Sequence, residues 1–230
     1  MKKCIILALV ATAAAVAQAS AVKPALAKKA PLVRAHENTE WSNQMAYDLC
    51  ARPLPRVLLI GDSICAGYQG LVRQRLAGKM HVSYWASSYD PTMKAYMKLL
   101  EVQLEDAPYA VVHINNGLHA FEVDINAWTE AMKRVIILIR AKQPQAKIVW
   151  CTTTPSSFAP WTEQVRELNA KMAEALKDPA MPRCEVDDLF TLLDPLDRKQ
   201  NWSDRCHHRP AARAKCADQV VASVLKALGK

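Results

Sequence analysis

The feature that most constrains this chain is a set of short runs that are apolar at consecutive positions: RVLLI at Arg56 to Ile60, YAVVHI at Tyr109 to Ile114 and KIVWC at Lys147 to Cys151. A strand with one wet face alternates apolar and polar side chains, whereas a strand that is apolar throughout must be covered on both faces. Shorter runs at His81 to Trp85 and Arg183 to Val186 read as two more strands. Between the five lie helix-period segments, near Gln69 to Leu76, Pro91 to Leu104, Asp124 to Ala141 and Trp161 to Leu176, and a last one runs from about Pro210 to Leu228. Asp124 suits an N-cap and Pro91 a first helical turn. Strands joined by crossover helices pair in parallel, with helices on both faces. The expected architecture is therefore an α/β fold, a three-layer α/β/α sandwich around a five-stranded parallel sheet.

A chain of 230 residues is the size of one domain. Residues 1–21 read as a signal peptide: Met-Lys-Lys, a mostly apolar stretch from Cys4 to Ala17, and Ala-x-Ala at Ala17 to Ala19 and again at Ala19 to Ala21. Residues 22–54 read as an Ala/Pro-rich tether, reaching to Arg34, and an extension with Trp41, Tyr47 and Cys50 that packs on the core. Residues 55–230 form the α/β domain. The early apolar run is too short to span a bilayer and no later stretch approaches that length. A secreted or periplasmic protein without an integral membrane segment after cleavage is expected.

The formal charge of +8 is unevenly placed. Six of the 30 basic residues (Lys2, Lys3, Lys23, Lys28, Lys29 and Arg34) and none of the 22 acidic ones precede residue 35, leaving 24 against 22, or +2. A nucleic-acid footprint needs basic residues gathered on one folded face, so no nucleic-acid partner is expected. Six cysteines follow the leader: Cys50, Cys65, Cys151, Cys184, Cys206 and Cys216. Export makes disulfides plausible, and the short loop between Cys206 and Cys216 makes that pair the preferred bridge. These two cysteines flank His207 and His208, which raises a zinc site as the alternative, but the spacing matches no familiar zinc pattern. No metal and no cofactor are expected.

In an open parallel sheet, ligands bind beyond the carboxyl ends of the strands. Those ends carry Gly61-Asp62-Ser63, Ala86-Ser87-Ser88, Asn115-Asn116-Gly117-Leu118-His119 and Thr152-Thr153-Thr154, and the loop before the last helix carries Asp204-Arg205-Cys206-His207. A serine hydroxyl needs a base to take its proton, and neutral imidazole does so near pH 7. Asp204, three residues before His207, can accept the second ring proton and orient the imidazole. Ser63, Asp204 and His207 are thus the candidate nucleophile, acid and base. The oxyanion of an acyl-transfer intermediate needs preset donors: the N–H of Ser63 at a helix start, a backbone N–H of the second loop and the side-chain amide of an asparagine after the third strand. Asp62, Asn115, His119 and Thr153 lie beside them as candidates to contact substrate, with cap, turn and strand-end roles as the alternatives. His113 suits a satisfied core histidine, and His208 is expected to point away from the site.

VLLIGDSI resembles the first block of the SGNH (GDSL-like) hydrolases, and Asp204-x-x-His207 resembles their last block. The absence of Gly-x-Ser-x-Gly around Ser63 argues against an α/β-hydrolase elbow. The resemblance spans about residues 56–228. It implies a flavodoxin-like sheet and a serine esterase with a small-molecule or polysaccharide ester as substrate. Together with export it favours removal of short acyl groups, such as acetyl, from carbohydrate or envelope polymers. A lipase or thioesterase on longer chains, or a non-catalytic carbohydrate-binding protein on the same scaffold, are the competing implications. Two blocks depart from the family pattern. Ala86, Ser87 and Ser88 stand where a glycine is usual, and INNGLHA replaces Gly-x-Asn-Asp, resembling an Asn-Asn-Gly-Leu-His variant; carried over, the resemblance implies Ser87 as the second backbone donor to the oxyanion and the amide of Asn116 as the third donor, with Asn115 as the alternative.

Overall fold

A computed structural model describes residues 30–51 and 54–230; the expected leader and the start of the tether lie outside the described residues. The strands are β1 (Ser42–Ala46), β2 (Arg56–Gly61), β3 (His81–Ser87), β4 (Val111–Ile114), β5 (Lys147–Cys151) and β6 (Cys184–Asp187). The helices are α1 (Ser63–Arg75), α2 (Lys94–Glu105), α3 (Ile125–Lys142), α4 (Ala159–Ala175), α5 (Leu189–Leu193), α6 (Arg198–Asn201) and α7 (Pro210–Ala227).

The sheet order is β1-β3-β2-β4-β5-β6. From β3 to β6 every pairing is parallel, and these five strands are the five expected. The correction is the sixth. β1 pairs antiparallel with β3, from Ser42 opposite Ser87 to Ala46 opposite Ser83, so the sheet is mixed. Its sequence, SNQMA, is exposed at four of five positions, so no buried face marks it as a strand. Pairing with the open edge of β3 is a tertiary event that also covers a sticky edge.

Side-chain alternation assigns the two faces. Val57 and Leu59 of β2, with Val149 and Cys151 of β5, join the core packed under α1 and α7. Leu58 and Ile60, with Ile148 and Trp150, join the core under α2, α3 and α4. Burial on both sides is why these strands read as unbroken apolar runs. Each such side chain contributes about 1.5–3 kcal/mol by leaving water.

α3 begins as expected, with the Asp124 carboxylate accepting from the Ala127 N–H at 3.0 Å. α1 begins six residues earlier than its periodicity suggests, directly at Ser63. The weak formers Ser, Cys and Gly in its first turns obscure it, and the cap decides it. The Asp62 carboxylate accepts from the Ile64 N–H at 2.9 Å. Gly61 is required there, because a Cβ would stand 2.4 Å from Cys65 Cβ.

The chain leaves β2 for β3 on one side of the sheet and returns to β4 on the other, so the order reverses between β2 and β4. Ser63 follows β2 and Asn115 follows β4, which puts both at the switch point where the crevice opens.

The expected Cys206–Cys216 bridge is not formed; all six described cysteines are free. Cys216 turns from α7 into the apolar core, and burial pushes its thiol up to about 12. The Cys206 N–H is tied to Asp204 Oδ1 at 2.8 Å.

Candidate active site

Ser63 is the first residue of α1, half-buried at the carboxyl end of β2. Its N–H is among the unpaired donors of a helix start, where the dipole favours negative charge. His207 Nε2 lies 2.8 Å from Ser63 Oγ, and His207 Nδ1 lies 2.8 Å from Asp204 Oδ2. Asp204 Oδ1 accepts from the N–H groups of Cys206 and His207, each at 2.8 Å. Burial raises the Asp204 carboxyl, but those donors and the His207 ring outweigh it and hold the pKa below the usual value. An ionised Asp204 fixes the proton on Nδ1, leaving the Nε2 lone pair facing the serine.

The loop carrying Asp204 and His207 is clamped from three sides. Ser203 N–H donates to the His207 carbonyl at 2.9 Å. Ser156 Oγ and the Ser157 N–H both reach the Arg205 carbonyl, at 2.7 and 2.9 Å. Trp202 Nε1 donates to the Pro155 carbonyl at 3.2 Å. His208 packs edge-on against Trp202 with ring centroids 5.0 Å apart. Burial first, then the charges of His207, Arg213 and Arg198, lower its pKa to about 4. His208 is therefore a neutral wedge against Trp202 that also lines the cavity beside Ser63, and His207 is the ring whose Nε2 meets Ser63 Oγ.

Asn116 is fully buried. Its Nδ2 donates to the Tyr89 carbonyl at 3.2 Å, which uses one of two N–H groups. Thr153 Oγ1 donates to the Asn116 carbonyl at 3.2 Å, and a Cβ at Gly117 would fall 2.1 Å from that same Oγ1. Glycine at 117 is what lets the β4 loop close on the β5 loop.

Ser87, expected as a backbone donor, ends β3 inside the sheet and is fully buried. β1 extends the pairing of β3 two residues beyond Trp85, which is why. The Ser88 N–H is also engaged, donating to the Trp41 carbonyl at 3.1 Å. Among the described residues, the first backbone N–H past β3 without an acceptor is that of Tyr89, beside Asn116.

Three candidates for substrate contact take scaffold positions. Asp62 is fully buried and caps α1. Asn115 donates to the Thr152 carbonyl at 2.9 Å. Thr153 donates its N–H to Asn169 Oδ1, 2.9 Å away. His119 Nδ1 instead meets Glu37 Oε1 at 2.7 Å. That contact belongs to a strap missed in the sequence. Arg34, read there as tether, is nearly buried and pairs with Glu37 and Glu40, at 3.0 and 2.7 Å, while its guanidinium also donates to the Ser88 carbonyl. Burial opposes ionisation of Glu40, but Ser88, the Glu37 N–H and Arg34 lower its pKa to about 2. The strap thus braces the loop that carries Tyr89.

The zinc alternative at Cys206 and His207 finds no geometry here, because His207 is committed to Ser63 and Asp204. A different trio, His113, Cys151 and Asp187, has ligand atoms within 4.8 Å of one another. His113 Nε2 and Asp187 Oδ2 are 2.8 Å apart, a direct hydrogen bond that ties β4 to β6.

A cavity of about 170 Å³ opens at Ser63 and His207. Larger hollows of about 600 and 540 Å³ lie around Tyr47, Arg73 and His81 and around Arg56 and Pro108, and no residue of this rim lines them. No helix among the described residues is long and apolar enough to cross a membrane.

No protein-family model matches the chain. Over 136 residues, 59% of this chain, it is 26% identical to the human platelet-activating factor acetylhydrolase IB subunit alpha2, and the match spans 58% of that relative's length. A GDSL-like lipase from Bacteroides thetaiotaomicron superposes with a TM-score of 0.60 at 14% identity, covering 77% of this chain and 92% of that one. A family two carbohydrate esterase from Clostridium thermocellum, in complex with cellohexaose, superposes with a TM-score of 0.62 at 17% identity, covering 78% of this chain and 66% of that one. The α/β fold is thus shared with GDSL-like lipases and carbohydrate esterases.

Proposed function

We propose that the chain is an SGNH-type serine esterase that removes short acyl groups, such as acetyl, from esters of carbohydrate or envelope polymers. The observation that carries this reading is the line from Ser63 Oγ through His207 to Asp204, with both contacts at 2.8 Å, at the switch point of the sheet. Ser63 Oγ attacks the ester carbonyl as His207 Nε2 takes its proton. The tetrahedral oxyanion is held by the N–H of Ser63, the second amide proton of Asn116 and the N–H of Tyr89, which replaces Ser87 in this role. Each donor is worth about 3 kcal/mol in the transition state. His207 returns the proton to the departing alcohol, leaving acyl-Ser63. Water, deprotonated by the same imidazole, then releases the carboxylic acid and restores the serine.

The small cavity, about 170 Å³, favours a short acyl group over a long chain. The cellohexaose held by the Clostridium esterase supports a saccharide as the alcohol. Export is part of the proposal and rests on Met-Lys-Lys, the apolar run and the Ala-x-Ala sites.

Hydrolysis of 4-nitrophenyl acetate and butyrate by the mature protein and by Ser63→Ala tests the reading. Wild type is expected to exceed the mutant by at least about a hundredfold, with acetate preferred. Equal rates would overturn it.

A further inference from the structure

The cavity at the nucleophile is lined by Ser63, Ile64, Gly67, His207, His208 and Arg213, and none of these is acidic. Ser63 and Gly67 stand one turn apart on the same face of α1. Because Gly67 has no side chain, the stem of Arg213 lies over that face, and a Cβ at Gly67 would be 3.4 Å from Arg213 Cδ and 3.9 Å from Cγ. Arg213 sits in the first turn of α7, and its Nε donates to the His208 carbonyl at 2.7 Å. That bond anchors the guanidinium at Nε, and neither terminal nitrogen has a hydrogen-bond partner among the described residues.

Some arginines of the fold are matched by acids, Arg34 by Glu40, Arg75 by Asp218, Arg166 and Arg198 by Asp194, while others, Arg56, Arg140 and Arg209, donate to backbone carbonyls away from the nucleophile. Among the described residues no carboxylate comes within ion-pairing distance of Arg213, whose partner is a backbone carbonyl. What sets Arg213 apart is its place: a half-buried guanidinium with no carboxylate partner lines the same small cavity as Ser63 and His207 and can take an anion there. Its fork suits a carboxylate or phosphate held by two parallel bonds.

We propose that Arg213 is a substrate-binding residue that holds an anionic group of the ester in the cavity of Ser63, so that this enzyme selects acidic esters over neutral ones. The inference rests on the esterase reading above. The anion can belong to the alcohol, as in the ester of an acidic sugar, or to the acyl part, as in the half-ester of a diacid.

Two isosteric pairs separate these sources. 4-Acetoxybenzoate against 4-acetoxybenzamide places the charge on the alcohol side, and monoethyl adipate against its half-amide places it on the acyl side. Wild type is expected to favour the acid over the amide about tenfold in kcat/KM in one arm, through KM, because a charge-assisted pair at a half-exposed site is worth about that much. Arg213→Gln brings the ratio to about one, Arg213→Lys keeps part of it, and added salt erodes it. A ratio near one for wild type in both arms, or one that Arg213→Gln leaves intact, overturns the proposal. If wild type is no faster than Ser63→Ala on every ester, the esterase reading falls, and Arg213 is judged by titration calorimetry on Ser63→Ala protein. Tighter binding of 4-acetoxybenzoate than of its amide, abolished by adding Arg213→Gln, upholds anion binding; equal affinities overturn it.

Discussion

Replacing Asp204 by Asn probes the site through its own hydrogen-bond pattern. Asp204 accepts from two backbone N–H groups on Oδ1 and from the His207 ring on Oδ2, all at 2.8 Å. An asparagine cannot satisfy both sides. If its NH2 faces the two N–H groups, donors oppose donors and the loop opens. If its NH2 faces the ring, His207 must carry its proton on Nε2, and the lone pair that Ser63 needs is gone. Either way the base is lost in its working tautomer, for which about 10⁴ in kcat is the reference magnitude at a buried triad. Here the side chains of His207 and Asp204 are 49% and 54% exposed, so water can compete for the ring, and the loss is expected to be smaller, about 10²–10³. The assay is kcat on 4-nitrophenyl acetate from pH 6 to 9, with Ser63→Ala as the floor. Activity of Asp204→Asn should sit between wild type and that floor. A variant within threefold of wild type would refute the assignment of Asp204 as the group that orients His207.

His208 gives a pH dependence of stability. Its pKa is lowered to about 4 from 6.5, so between those values the folded state binds fewer protons than the unfolded one. Its contribution is complete above about pH 6.5 and is lost as pH falls through about 4, by about 3 kcal/mol in all. Urea midpoints at pH 7 and 4.5 should therefore diverge more in wild type than in His208→Phe, and equal divergence would exclude the imidazole as the source. Gly117→Ala should destabilise by about 1–3 kcal/mol through overlap with Thr153. Adding Thr153→Ala, which removes Oγ1 and Cγ2, should recover part of that in denaturant unfolding, and strict additivity would show the two do not meet.

What the sequence displays follows from what each element needs. β2, β4 and β5 are covered on both faces, and burial writes itself as unbroken apolar runs. Ser63, Asp204 and His207 were legible because their motifs are local: a strand end before a helix, and an acid three residues from a base. β1 was not, because its partner is 40 or so residues away and its exposed side chains carry no periodicity. The strap of Arg34, Glu37 and Glu40 was hidden for the same reason, its partners on Ser88 and His119 being visible only once β1 is docked. Tyr89 was missed because a backbone N–H has no residue type; only the extension of β3 through Ser87 shows which amide is left over. α5 and α6, of five and four residues, span little more than one turn, too few to show a helical repeat, which is read over roughly 11 residues or more.

The central claim is that Ser63 is a nucleophile activated by His207. Treatment of the native protein with a fluorophosphonate, followed by peptide mass spectrometry, tests it most directly. The expected result is one adduct per chain, on Ser63, absent from Ser63→Ala and forming at least about a hundredfold more slowly in His207→Gln. A folded protein that is not labelled, or whose label falls on another residue, would contradict it.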